Sequence, residues 1–404
     1  MIRGAWNNAA RIVTIDLMTR PDALIVNDSF ALRLALFYAA FFVASGLMLP
    51  FFPLWLAAKG LDAAAIGAVL AVAQALRLVA IPAGTRLADR RGTLKGPLVA
   101  AALAAVTGIA LLAFADGFAA ILAAYVVATL VAAPMLPLGD AYALKGLGLR
   151  GLGYGPVRLW GSVAFMAANL GGGLMLAWLA PVDLIWPILA GYGTIAAAAL
   201  ALEPLPAAPR RADGEPGHGH LRQPAFIAVI AAASLVHASH AVYYGFSTLD
   251  WSAHGLSGGA IGALWALGVA AEIVLFAVSS RIPALSPTAL IALGAAGGTL
   301  RWIAMAFDPP AAALPTLQVL HALSFGATHL GTMAYLARAA PEGGRAAAQG
   351  DVATASGVAM VAAMALSGAL YQRYGDVAYA AMAVMAAAGG VLALIAGRAR
   401  HSSP

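Results

Sequence analysis

The chain of 404 residues contains no cysteine, which excludes disulfides, thiol catalysis and cysteine-ligated metal centres. Charge is scarce as well. Asp, Glu, Lys and Arg make up 10% of the residues, against roughly 25% in a soluble domain. That is too little charge to cover a water-facing surface, so lipid must be the solvent of most of this molecule. Alternating apolar and polar strand segments are missing, which argues against a membrane barrel. There is no Walker loop, nucleophile elbow or metal-ligand cluster. No enzyme, cofactor or metal is therefore expected, and an ion gradient is the natural energy source. The net charge of +6 is not gathered into a basic patch, so nucleic acid is not an expected partner.

What is present is apolar. Hydrophobic residues make up 62% of the chain, and the mean hydropathy is +0.87. A span needs about 20 apolar residues to cross a hydrocarbon core of about 30 Å. By that measure there are about twelve runs, at 31–57, 64–87, 96–115, 118–140, 155–180, 183–202, 225–250, 258–280, 286–307, 312–338, 346–371 and 376–397. In lipid, backbone polar groups must be satisfied within each segment, so the runs are helices. Basic residues concentrate in alternate connections: Arg86, Arg90, Arg91 and Lys95; Lys145 and Arg150; Arg210, Arg211 and Arg222; Arg281; Arg338 and Arg345; Arg398 and Arg400. The other connections hold only Lys59 and Arg373. Positive charge stays inside, which places both termini in the cytoplasm of a multi-pass membrane protein.

The first 30 residues are polar and lack the apolar core of a signal peptide. A Pro-, Gly- and charge-rich stretch at 203–224 reads as a cytoplasmic linker. The expected organisation is a tail at 1–30, a helical half at 31–202, the linker at 203–224, a second half at 225–398 and a tail at 399–404.

An internal repeat supports that division. "KGLDAAAIGA" from Lys59 and "HGLSGGAIGA" from His254 match at six of ten positions, 195 residues apart. Both copies open the second run of their half, as expected of parallel repeats in a secondary transporter. Gly60 and Gly255 suit a turn that a Cβ would strain. Gly67 and Gly262 lie inside helices, where glycine lets neighbours approach closely. The same register sets Arg77 opposite Glu272.

Ionisable groups inside the runs are costly in lipid and mark functional positions. Glu272 is the leading proton site, because a carboxyl balanced between desolvation and a neighbouring cation can load and release a proton. Permanent pairing with Arg301 or Arg77 is the structural alternative. Arg301 is suited to hold an anionic solute through its fork of donors. His321 and His329, eight apart, lie on similar faces of one run, and either can act as relay or solute donor. His237 and His240 share a face and precede the aromatic run containing Tyr243 and Tyr244, which can stack on a ring. Asp140 and Arg158 flank the connection between the fourth and fifth runs, as an ion pair or as solute contacts. Asn169 lies in the glycine-rich "NLGGGL".

"GTRLADRRG" at 84–92 resembles the loop between the second and third spans of the major facilitator superfamily. That resemblance makes Asp89, Arg90 and Arg91 a cytoplasmic gate. "YGPVRLWGSVAFMAANLGGG", "LWALGVAAEIVLF", "LRWIAMAF" and "LHALSFGATHLGTMAYLAR" resemble the 3-phenylpropionic acid transporter branch, which is similar to the lactose permease group of proton symporters. The resemblance implies an all-α membrane fold of two pseudo-symmetric six-helix halves. It implies proton coupling through Glu272, Arg301 and either His321 or His329, and solute binding by Asp140 and Arg158. Arg77, His237, His240, Tyr243, Tyr244 and Asn169 complete the expected solute site. The second acidic residue found after the histidine in lactose permease has no counterpart: Ser324 and Thr332 stand there. The expected activity is monomeric, proton-coupled import of a small organic solute such as an aromatic carboxylate across the bacterial inner membrane. Sugar or nucleoside symport, efflux of hydrophobic compounds and solute sensing without transport stay open.

Overall fold

In a computed structural model, residues 28–206, 223–279, 285–339 and 345–401 are described. Every regular element among them is helical. The first, α1 (Ser29–Ala58), starts at Asp28, whose carboxylate accepts from Phe30 N at 2.8 Å and Ala31 N at 3.0 Å. It is followed by α2 (Ala63–Arg91), α3 (Lys95–Ala113), α4 (Gly117–Ala132), α5 (Met135–Gly148), α6 (Tyr154–Met175) and α7 (Ile185–Ala201). Beyond the linker come α8 (Pro224–Ala238), α9 (Ala241–Ala253), α10 (Gly258–Val278), α11 (Pro287–Ala306), α12 (Leu314–Val319), α13 (Thr328–Ala339), α14 (Arg345–Tyr374) and α15 (Ala378–His401).

Nine helical stretches among the described residues are long and apolar enough to cross a membrane. The helix α6 is not one of them, although it is 22 residues long. Arg158, Asn169 and a run of glycines dilute its hydropathy, and the first two are expected site residues. The 312–338 run is also absent, because its helix is broken. Between α12 and α13 the backbone takes a π-helical turn at Ala322–Ala327, a form that gathers at functional sites.

The chain divides into two compact units. Among the described residues, one holds 28–59, 79–206 and 277–279; the other holds 60–78, 223–276, 285–339 and 345–401. In the first, α1 packs along α6 and α7 over a core that includes Leu34, Phe37, Tyr38, Leu138 and Tyr142. The start of the linker is tied down there. Arg150 Nη2 meets Glu203 Oε2 at 2.9 Å, Tyr142 Oη donates to Glu203 O at 2.7 Å, and Lys95 and Lys145 donate to Leu202 O and Pro206 O. Lys95 thus satisfies the carbonyl of the residue that caps α7, and the other contacts hold the segment that follows it. Residues 207–222 of the expected linker, 1–27 of the first tail and 402–404 of the last lie outside the described residues.

The second unit takes in the first part of α2, and the contact responsible is glycine on glycine. A Cβ on Gly67 would sit 2.6 Å from Gly368 Cα, so only glycine permits this approach. Gly60 and Gly255 both adopt positive φ, +84° and +81°, as their turns require.

Candidate functional site

The polar centre of the second unit is built where three helices depart from regularity or carry a buried charge. The break between α8 and α9 falls at Ser239 and His240. His240 Nδ1 lies 3.2 Å from Val236 O and 3.1 Å from His237 O. Carbonyls only accept, so Nδ1 carries the proton, and Nε2 accepts from Ser324 Oγ at 3.1 Å. Trp302 Nε1 donates to Ser239 Oγ at 2.9 Å, and Ser239 Oγ donates to Val236 O at 2.7 Å, which fixes the break.

On α11, the Arg301 side chain is fully buried. Its guanidinium carbon lies 4.4 Å from the centre of the Tyr243 ring and 4.6 Å from that of Trp302, a cation against two neighbouring aromatic rings whose centres are 5.9 Å apart. Nη2 donates to Gln318 Oε1 at 2.7 Å, and Nη1 lies 3.2 Å from His321 Nδ1. Arginine has no acceptor, so His321 Nδ1 must be the acceptor and the neutral imidazole carries its proton on Nε2. That nitrogen faces Glu272 Oε2 at 3.5 Å. A chain of contacts therefore runs from Tyr243 through Gln318, Arg301 and His321 to Glu272. Arg301's partners are neutral groups, whereas Glu272 is met by the imidazole and not by the guanidinium.

The chain grades from buried to open. Arg301 and Gln318 have no exposure, while the side chains of His321 and Glu272 are 10% and 17% exposed. Aromatic rings surround it: Tyr244 stacks on His240 at 5.6 Å, and Tyr243 lies 4.5 Å from Trp265. The π turn lines up a column of rings. His321 stacks on Phe325 at 5.4 Å, and Phe325 stacks on His329 at 6.3 Å. In an α-helix, side chains four apart drift around the axis. A wider turn advances less per residue, which keeps positions 321, 325 and 329 aligned. His321 and His329 thus share a face, and it is His321 that reaches both Arg301 and Glu272. His329 is exposed, against Phe325 and Phe276. His237 packs on Phe325 at 5.0 Å, with its Nε2 buried and unpartnered among the described residues. Arg77 is exposed and outside this chain of contacts.

In the first unit, Asp140 accepts from Tyr38 Oη at 2.7 Å and Tyr154 Oη at 2.9 Å. Arg158 lies over the Phe42 ring at 4.0 Å and near Tyr38 at 5.5 Å. The two residues thus meet through a shared tyrosine, Tyr38, each using a different part of it. Asn169 is fully buried, and both polar atoms of its amide are unpartnered among the described residues. Asp89, Arg90 and Arg91 are exposed at the C-terminal end of α2, where Gly92 closes the helix with φ +66°. The basic pair suits the negative end of the helix dipole.

Sequence reasoning missed Gln318, Ser324, Tyr38, Tyr154 and Trp302. Gln318 and Ser324 are neutral, and neutral polar residues are common in helices that span membranes. Their spacing of three residues from His321 was the one available signal.

Another polar cluster sits at the C-terminal end of α9. Donor atoms of Asp250, His254 and Asp376 all lie within 4.8 Å of one another. His254 Nδ1 is already engaged by Asp250 O at 2.9 Å, and its Nε2 is 3.6 Å from Asp308 Oδ2. The hydrogen bond to Asp250, followed by the charges of Asp250 and Asp308, raises the His254 pKa above its ordinary value.

The model of the MFS_1 like family matches residues 31–381. A probable 3-phenylpropionic acid transporter from Escherichia coli (strain K12) is 30% identical over 87% of this chain and 94% of its own length. Maltose permease from Geobacillus stearothermophilus is 28% identical over 76% of this chain and 79% of its own. The crystal structure of the nucleoside transporter NupG superposes with a TM-score of 0.79 at 16% identity, covering 93% of this chain and all of that one. That likeness speaks for the fold. With helices fit to cross a bilayer, a family model that matches residues 31–381 and a transporter relative matched over 94% of its length, the chain belongs to the MFS_1 like family of the major facilitator superfamily: a multi-pass membrane transporter and not an enzyme.

Proposed function

We propose that the protein is a proton symporter that imports a small aromatic carboxylate of the 3-phenylpropionate type. It works by alternating access of two halves of about six spans each. It acts as a monomer in the inner membrane with both termini in the cytoplasm. The observation that carries this reading is Arg301: a fully buried cation against two adjacent aromatic rings, with neutral partners, one imidazole away from Glu272.

Charge accounts for the coupling. With Glu272 ionised and His321 neutral, the cluster sums to zero. A solute carboxylate brought beside Glu272 then meets repulsion of about 4 kcal/mol at about 4 Å and an effective dielectric of about 20. A proton on Glu272 leaves the cluster with the positive charge of Arg301, which a carboxylate neutralises. Proton and anion are thus each bound better in the other's presence, and the loaded site is neutral. The solute's ring stacks against Tyr244 and Phe325, with His237, His240, Tyr243 and His329 around it. The resemblance assigns Asp140 and Arg158 of the first unit to solute binding as well, and Asn169 of that unit and Arg77 of the second are proposed with them. Asp89, Arg90 and Arg91 form the cytoplasmic gate. Kinship with maltose permease supports a neutral sugar as the second reading.

A thermal-shift series on the purified protein separates these. Ligands that bind the folded state raise its melting temperature. Aromatic monocarboxylates are expected to raise it, more strongly as pH falls toward 5. Stabilisation by disaccharides or nucleosides alone would overturn the aromatic-acid reading. Efflux or sensing is separated by flux: concentrative uptake into vesicles is expected, where an exporter gives extrusion and a sensor gives binding without flux.

A further inference from the structure

We infer that Gln318 selects the charge of the solute: it orients Arg301 without neutralising it, and so keeps the site in need of an anion. This rests on the proposed reading and deepens it by naming the residue that sets the solute class.

The amide has a forced orientation. Tyr243 Oη at 2.9 Å and Arg301 Nη2 at 2.7 Å both donate to Gln318 Oε1. The nitrogen of the amide cannot accept from either, so the oxygen must stand there. One oxygen thereby fixes two side chains. It holds the Tyr243 ring against the guanidinium and turns Arg301 so that Nη1 meets His321 Nδ1. The imidazole tautomer that presents Nε2–H to Glu272 follows from that turn. Gln318 thus acts on Glu272 through two intervening side chains, as a positioning residue.

What Gln318 withholds matters equally. A carboxylate of the same length would reach the same two donors and give Arg301 a buried counter-ion. The amide gives it a hydrogen bond and no charge. Arg301 Nε and Gln318 Nε2 are both buried and without acceptors among the described residues. An unmet donor is costly in such surroundings, so the pair favours an acceptor-rich, negatively charged guest. The groups facing His321 from the packed elements are Glu272, Arg301, His240, Tyr243 and, further along the ring column, His237 and His329. Glu272 is the one anion among them. With Glu272 protonated, Arg301 alone sets the sign of the site, and Gln318 leaves that sign positive.

The test compares an acid with its uncharged isostere. Binding of 3-phenylpropionate and of 3-phenylpropionamide is measured at pH 5.5 for the wild type, Gln318→Glu and Gln318→Leu. The wild type is expected to prefer the acid by about tenfold or more. Gln318→Glu keeps the geometry and is expected to lose that preference. Gln318→Leu keeps the charge of Arg301 and is expected to bind both compounds more weakly while still preferring the acid. Gln318→Glu that melts like the wild type and still prefers the acid overturns the inference. A wild type indifferent to charge overturns the aromatic-acid reading itself. The positioning role is then decided without solute, by nitrogen NMR of labelled histidine with the signal assigned through His321→Gln. The wild type is expected to show a neutral His321 protonated on Nε2, and Gln318→Leu a mixture of tautomers. An unchanged signal in Gln318→Leu overturns the positioning role.

Discussion

At the scale of single residues, the second unit puts its rarest groups together. Glu272, Arg301 and His321 come from α10, α11 and the turn before α13, and each is legible in sequence as an ionisable group in an apolar run. Their connection was not legible, because it passes through Gln318 and depends on which nitrogen of His321 faces which partner. The same geometry bears on Arg301→Lys. Lysine keeps the charge but is a single point of donation, whereas Arg301 uses two nitrogens for two partners. Losing one such charge-assisted bond costs about 1.5–3 kcal/mol. Uptake by Arg301→Lys is therefore expected to fall by about 10–100-fold, measured as initial rate in vesicles. Wild-type rates in Arg301→Lys would mean that charge alone suffices. Asp140 and Arg158 teach the converse. Sequence placed them near one another, but two tyrosines far apart in the chain, Tyr38 and Tyr154, hold the carboxylate.

At the scale of elements, hydropathy located the helices and the repeat located their glycines. Gly67 was legible as a close-approach position, although its partner, Gly368, was not, since pairing across 301 residues leaves no local trace. Gly368→Val would drive side-chain atoms into backbone: even a Cβ there lies 2.7 Å from Ala63 O and 2.9 Å from Gly67 Cα. Overpacking of this kind costs about 1–3 kcal/mol. The variant is expected to melt lower than the wild type, and Gly368→Ala to fall between them. The π turn at Ala322–Ala327 was illegible, because its sequence, "ALSFGA", suits an α-helix equally well. At the end of α9, His254 links Asp250 to Asp308. Its pKa is raised in the folded protein, so its contribution to stability is fully present below the unfolded value of about 6.5. It is lost as pH rises through the higher folded value. Melting temperatures from pH 5 to pH 9 are expected to fall more steeply for the wild type than for His254→Ala over that window. Parallel curves would remove His254 from the account. The effect is small, because the imidazole is half exposed and screened.

At the scale of the whole molecule, scarcity of charge and length of apolar runs sufficed to read a helical membrane protein. Kinship then fixed the family. Substrate was not legible from composition, since a family fold hosts many solutes; the proposed solute class rests on one buried cation and the rings around it. The central claim is that Glu272 carries the proton that moves with the solute. The most direct measurement follows proton movement in proteoliposomes when 3-phenylpropionate is added to one side, for the wild type and Glu272→Gln. For the wild type, the solute gradient is expected to drive protons in the same direction, with a pH change that saturates with solute. Glu272→Gln is expected to exchange labelled solute across the membrane without moving protons. Proton movement that persists in Glu272→Gln at the wild-type rate would contradict the account.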